Sequence, residues 1–556
     1  MKKFISILLL LIIAIPVYSQ STVPFTLEIQ EFQRQNAPGL QSYATGRFGN
    51  YWLLIGGRTN GMHFFPTTPA GGFPALYANS RFYVYDPNTD SVWSRSIFTD
   101  LSLSVAAQFR SSNMESIQNG NTLYLTGGYG KDSSGTLVLL DSFVTFPKLS
   151  SINVSGMINA IKTNSSVAPF VRQITDTMFA VTGGELRRID NSYYLVVGHK
   201  FTGKYSVPTV HVQQYTNCVK KFDIEDNGTT INITNKSYMY DTANLHRRDL
   251  NVVPQITSPS GTHGITIYGG VFTAANGPFL NPVYITPTSA SVDLSFQQRY
   301  SQYSCPVLPV YDSVRNNMTN IFFGGVSLYN YDTVLHQSVI DTAGCGGPCI
   351  PFIPDITAIT KFSNGTSRDS VLPIRFPQNR MLGAEARLLL EETLPAYSNR
   401  VLKLASITGR TFVGYIYGGI EAFETNPLVQ VLNTRGRNSG TGSDASNSIF
   451  KLYITPNSVG INPLGNYVPS EYKLFQNYPN PFNPTTKIKF DVPLTGFVSV
   501  KIYDVMGREV ENLVNQKLQA GSYETEFNGV NRSSGIYYYK IYTDKFQETK
   551  KMILVK

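Results

Sequence analysis

The sequence predicts an all-β chain: a six-bladed β-propeller followed by a small Ig-like β-sandwich. Three observations carry that expectation. Only 15% of the 556 residues are charged, against about 25% in a typical soluble domain. In their place stand 34 Tyr, 33 Phe, 45 Gly and 31 Pro, strand formers and turn punctuation rather than helix formers. An apolar run closing on Gly-Gly recurs through the middle of the chain, and after about residue 470 short segments alternate apolar and polar. A helical bundle and a coiled coil are excluded by this balance, and 42% hydrophobic residues exclude a disordered chain.

At the N-terminus, Met1-Lys2-Lys3 precedes an apolar run from Phe4 to Pro16 and then Val17-Tyr18-Ser19. This reads as a signal peptide over 1–19, cut after Ser19. The run falls short of the roughly 20 residues that span a bilayer, so no transmembrane segment is expected. The region has no cysteine and so no site for a lipid anchor. The net charge of +9, from 46 Lys/Arg against 37 Asp/Glu, is spread along the chain. A nucleic-acid surface needs clustered Lys/Arg, so none is expected.

The repeat comes next, over residues 20–458. Its clearest strands are 51–57 (YWLLIGG), 123–128 (LYLTGG), 265–270 (ITIYGG), 321–325 (IFFGG) and 415–419 (YIYGG). For the third unit, 193–198 (YYLVVG), with Val197 in place of the first glycine, gives more even spacing than Val181–Gly184. Successive units then lie 71, 70, 72, 55 and 94 residues apart. Four short strands form a twisted sheet that cannot bury both faces alone, and radial packing of several such sheets solves the problem. Gly-Gly permits close backbone approach and left-handed φ. The segment 383–392 (GAEARLLLEE) has helix propensity, but its place in the repeat makes it a strand. Asn433–Ser448 is expected to be a mobile Gly/Ser/Asn-rich loop, and 459–470 a linker.

Arginine often opens the strand before each anchor: Arg110, Arg172, Arg248, Arg299 and Arg380, with Gln41 in that place in the first unit. After the anchor comes a strand with a polar exit, best seen at 82–93 (FYVYDPNTDSVW). Arg early, Gly-Gly after the second strand, and Tyr-Asp and Trp near the fourth together resemble kelch repeats. The resemblance is spread over residues 40–455, and the units run longer than the usual kelch length of about 50, so long loops are expected. It implies a galactose-oxidase-like propeller with the arginines ringing one mouth of the channel. Guanidinium forks bind carboxylates bidentately, so such a ring suits acidic sugars or an acidic peptide; the other reading is that each arginine holds neighbouring blades together.

In the tail, Tyr478, Pro479, Asn480, Pro481, Phe482, Asn483 and Pro484 form an extended, turn-rich approach. Alternating strands follow at 487–490, 498–503, 535–541 and 552–555, separated by turns at Gly507 and Gly521, with Gly535 opening the next strand. The strings YPNPFNPTTKIKF, VSVKIYDVMGREVENLV, AGSYETEFNG, SSGIYYYKI and KKMILVK resemble, in order, the C-terminal sorting domain of the type IX (Por) secretion system, over 471–556. The resemblance implies a bacterium of the Bacteroidetes and relatives, the type IX machinery as a partner, and a place at the cell surface or in the medium.

Chemistry-bearing residues are sparse. An exported chain favours disulfides; Cys345 and Cys349 could close a local loop, leaving Cys218 and Cys305 to pair if they approach within about 7 Å. The histidines His63, His199, His211, His246, His263 and His336 form no ligand pair, so no metal and no cofactor are expected. Tyr303 near Cys305 is the one hint of a copper-radical site. No nucleophile elbow, phosphate loop or zinc-protease motif is present. The expected function is a monomeric, non-catalytic surface or secreted protein whose propeller recognises a glycan or protein. A carbohydrate-active propeller enzyme, mutarotase- or oxidase-like, and a structural surface component are the alternatives. An enzyme would bring an arginine and a perturbed carboxylate, such as Arg380 with Glu385 or Arg187 with Glu185, into one pocket.

Overall fold

The computed structural model describes residues 23–556 except 64–71, 133–142, 206–210, 258–260, 275–276, 343–349, 428–441, 457–461, 464–467 and 531. The expected signal peptide and the pair Cys345 and Cys349 lie outside these residues. The fold is all-β and built of many sheets.

Four-stranded antiparallel runs follow one another along the chain. They comprise 44–96, 112–175, 185–240, 248–292 and 307–375, each with an inner strand that opens the run and an outer strand that ends it. The sixth joins Arg387–Leu390, Thr411–Tyr417 and Ile449–Pro456 to the first strand of the chain, Phe25–Glu31. That pairing runs in unbroken register from Phe25 opposite Pro456 to Glu31 opposite Phe450. The strand at 387–390 replaces the helix that local propensity favours: Leu389 pairs with Tyr415 across the ladder and is buried.

The Gly-Gly motif has a specific task. Gly57, Gly128, Gly198, Gly325 and Gly419 donate their N–H groups to carbonyls of the following sheet, on Ser111, Val181, Arg247, Leu382 and Leu40, at 2.8 to 3.0 Å. The last of these ties the sixth sheet to the first. A Cβ on the preceding glycine would strike that same neighbour: at Gly127 it would lie 1.8 Å from the Val181 oxygen, at φ +63°. Gly198 makes the same bond as the other second glycines, which supports it as the anchor of its unit, while Val197 holds φ +50° without a glycine's freedom.

Other expectations need correction. Two α-helices, Leu103–Phe109 and Val154–Lys162, interrupt the strands. The second is capped by Asn153, whose side chain accepts from Gly156 N at 2.9 Å, and its Met157, Ile158 and Ile161 pack against Leu53 and Phe82. Within the expected mobile loop, Ser443–Ala445 pairs with Ile420–Ala422. Within the expected linker, Asn462–Pro463 pairs with Tyr523 and Glu524 of the tail. Cys218 and Cys305 are both free and buried, in place of the conditional pairing. Cys305 packs with Tyr268 and Phe322, and Cys218 opens the strand Cys218–Asp226.

The tail is two four-stranded sheets around one core that includes Phe482, Ile488, Val500, Phe527, Tyr539 and Leu554. Its Pro-rich approach is bolted to the end of the chain. Phe482 N donates to Ile553 O at 2.9 Å, Val555 N to Phe482 O at 3.0 Å, and Ile553 N to Asn480 Oδ1 at 2.9 Å. Tyr478, by contrast, stands 81% exposed. Gly507, at φ +76°, closes the turn on Asp504 O.

Candidate functional site

Where each inner strand begins, the chain passes through one left-handed residue. The six are Ser42, Asn113, Gly183, Asp249, Ser304 and Glu385, with φ between +33° and +67°. Backbone bonds join them in pairs: Asn113 N to Ser42 O at 3.1 Å, Asp249 N to Gly183 O at 2.7 Å, and Glu385 N to Ser304 O at 2.7 Å. Side-chain bonds bridge the remaining gaps: Gly184 N donates to Glu115 Oε1 at 3.1 Å, Cys305 N to Asn251 Oδ1 at 2.9 Å, and Ser42 bonds the Glu385 carboxyl. All six sheets therefore meet at one circle of residues.

Above this circle lies a cavity of about 80 Å³ whose wall is drawn from every sheet. That is room for two or three waters at roughly 30 Å³ each, or one carboxylate-sized group. Its cation is Arg248, whose side chain is 12% exposed, 3.3 Å from Asp249 and stacked 4.6 Å from the Phe272 ring centre. Burial alone would lower this guanidinium; Asp249 and the nearby tyrosines outweigh it and hold it above its usual range.

His199 faces Arg248, with its Nε2 3.4 Å from the arginine Nη1 and its Nδ1 2.7 Å from the Gln213 amide. Burial, Arg248 and His211 push its pKa well down, so the ring is neutral. Arginine can only donate, so Nε2 is the acceptor in this contact. A continuous aromatic wall flanks these groups: Phe73 on Tyr129 at 5.4 Å, Tyr129 on Phe201 at 5.1 Å, and His211 stacked on Phe201 at 4.3 Å. His199 and Phe201 reach the cavity because the strand 199–202, together with 143–145 and 212–215, extends the second sheet sideways. The long second and third repeats are thus spent on building this wall.

The cavity floor holds two buried carboxyls. Glu385 is pushed up to about 7, chiefly by burial, with Arg387 opposing and Asp249 and Glu185 adding repulsion. Asp249 is also raised by burial, against Arg248 and the hydrogen bond from Tyr303. Tyr303 lines the cavity, whereas Cys305 packs into the core beside Phe322. The two side chains so close in sequence face different surroundings, the reverse of what a tyrosine–cysteine cross-link requires. Among the described residues no group of three or more His, Cys, Asp or Glu is arranged to hold a metal ion.

The expected arginine ring does not assemble. Of its five members Arg248 alone lines this cavity. Arg110 donates to Ala75 O at 2.8 Å nearby. Arg172 lies on the outermost strand of the second sheet and pairs with Asp226. Arg299, 62% exposed, lies 3.8 Å from Asp369, and Arg380 clamps Glu421 and Glu31 at 2.6 and 2.7 Å. Relative to the left-handed residue these arginines do not share one offset: Gln41 and Arg248 stand immediately before it, Arg299 and Arg380 five residues before it, and Arg110 three. Sequence reasoning missed Tyr129 and Asp249, and weighed His199 and Tyr303 only as metal-site residues; the Arg248-Asp249 dipeptide was the available signal.

Residues 476–556 match the family model described as a secretion system C-terminal sorting domain. This tail marks the chain for export through the type IX secretion system, to the cell surface or the medium, and implies contact with that machinery. No helix among the described residues is long and apolar enough to cross a membrane. No curated protein matches the chain significantly. Among solved structures, that of YjhT is 12% identical, with 74% of this chain and 96% of that one covered, at a TM-score of 0.38. A novel fungal alcohol oxidase of the AA5 family, in complex with copper, is 10% identical, with 96% and 100% covered, at 0.35. Neither similarity is close enough to carry residues across.

Proposed function

We propose that this exported chain is a binding protein whose six sheets close into a six-bladed, kelch-like propeller, and whose axial cavity receives the carboxylate end of an acidic saccharide. Arg248 carries this reading: a buried guanidinium in the axial cavity, beside a neutral histidine and an aromatic wall. A carboxylate would meet the guanidinium fork, while the sugar face would lie on Phe73, Tyr129 and Tyr205. The cavity volume suits the end of a ligand and leaves the remainder outside. The bonds from Gly419 to Leu40 and from Phe25–Glu31 to Ile449–Pro456 support closure of the ring. Calorimetric titration with glucuronate, galacturonate and glucose tests the reading. We expect the acids to bind and glucose not to, with at least about a tenfold loss in Arg248→Met. Equal binding of glucose, or undiminished binding in the variant, would overturn it.

One observation favours catalysis as a second reading: Glu385 and Asp249, both raised, share the cavity with Arg248. A carboxyl near neutrality can give and take a proton. Interconversion of uronic acid ring forms, followed by NMR and lost in Glu385→Gln while binding persists, would establish it. Identical interconversion rates with and without protein would exclude it for these substrates.

A further inference from the structure

Farther along the same inner strands, beyond the left-handed circle, a second cavity of about 460 Å³ opens. We propose that it is an independent site for a small multivalent anion, a sugar-sized molecule carrying two or more carboxylate, sulfate or phosphate groups. Arg187, Arg188, Arg387 and Arg400 line it. Glu185 is the one carboxylate among its described lining residues, and it is engaged by Arg187 at 3.0 Å. Arg188, Arg387 and Arg400 have no carboxylate within 4 Å among the described residues. Arg188 bonds the neutral amides of Asn119 and Asn191 at 2.6 and 3.1 Å. Arg387 donates through Nε to Tyr43 O at 3.1 Å, and Arg400 through Nη2 to Glu391 O at 3.4 Å. Elsewhere in the body Arg47, Arg95, Arg172, Arg375 and Arg380 are each paired with a carboxylate.

Three guanidiniums without a salt-bridge partner around one concave space repel each other and focus positive potential inside it, with Glu385 acting on Arg387 and Glu391 and Glu392 on Arg400 only at longer range. An anion relieves that repulsion, and most of the fork hydrogens of Arg387 and Arg400 remain for it. The wall amides are already committed: Asn251 to Gln302 O and Cys305 N, and Gln118 to Arg47 and Gly120. Recognition therefore falls to the guanidiniums, which favours charge over a pattern of sugar hydroxyls. The volume lies in the range of small-molecule sites.

The test is isothermal titration of the exported full chain, at low ionic strength, with citrate, inorganic sulfate and pyrophosphate. These three arms distinguish the carboxylate, sulfate and phosphate forms of the ligand. We expect saturable binding of at least one, weakened about tenfold or more in both Arg387→Gln and Arg400→Gln, and unchanged in Arg299→Gln on the outer surface. Arg400 is exposed at the rim, so its variant decides the matter if Arg387→Gln does not fold. No saturable heat with any of the three anions, or undiminished binding in Arg400→Gln, would overturn the proposal. Uronate binding at Arg248 is read separately, in Arg400→Gln with no other anion added, so either site can fail alone.

Discussion

Glu385 shows how much one position has to carry. It takes a left-handed backbone that suits glycine, closes the circle through Ser42 and Ser304, and keeps a carboxyl buried at 4% exposure. With the folded pKa at about 7 and the unfolded value near 4.5, the folded state holds its proton more tightly. Its contribution to stability is then complete below about pH 4.5 and is lost as pH rises through 7, on the order of 3 kcal/mol. Urea midpoints should fall across that window in the wild type and stay flat in Glu385→Gln. A parallel fall in both would assign the slope to another group, Asp249 first. Arg247 is the structural counterpart: fully buried, it donates to Asn244 O, Gly269 O and Asn281 O, and burial lowers it to about 9. Arg247→Met strands three carbonyls and should cost about 3 kcal/mol or more in thermal melts.

At the level of the element, Gly-Gly is a connector between sheets as much as a turn. Gly127→Ala places a methyl group against the Val181 carbonyl at a φ that L-residues avoid, and should destabilise by more than about 3 kcal/mol in chemical denaturation. Gly120→Ala, at φ +57° with open space around it, should cost only about 1 kcal/mol. The gap between the two measures the contact separately from the backbone strain. This motif was legible because glycine has few substitutes where two backbones touch. The arginines were misread for the opposite reason: a long side chain reaches its partner from many backbone positions, so Arg172 and Arg380 could satisfy nearby carboxylates without sharing a register.

At the scale of the whole molecule, the start and the end of the repeat region are joined by strand pairing. Residues 25–31 complete the sixth sheet, and Phe25, Leu27 and Ile29 sit in one core with Leu452 and Ile454. A chain beginning at residue 33 should lose cooperative unfolding of the body, while restored folding on addition of a 23–32 peptide would show that the strand acts by pairing. The tail encloses a core drawn from its own residues, so a 468–556 fragment should melt in a single transition by circular dichroism; a broad, uncooperative melt would mean that the tail depends on the body.

The sequence by itself determined the strand-rich class, the repeat and its glycine anchors, and the sorting tail with the export route it implies. These rest on local rules: period-two alternation, backbone freedom at glycine, and a motif read in order along contiguous residues. Only the tertiary structure decided which side chains meet. Arg248, His199, Tyr303 and Glu385 come from four repeats and line one cavity, and the cavity wall depends on strands inserted between repeat units. Charge balance is likewise a property of space: Arg380 finds Glu31 across 349 positions of chain, whereas Arg387 acts on Glu385 only at longer range, with no carboxylate within 4 Å among the described residues.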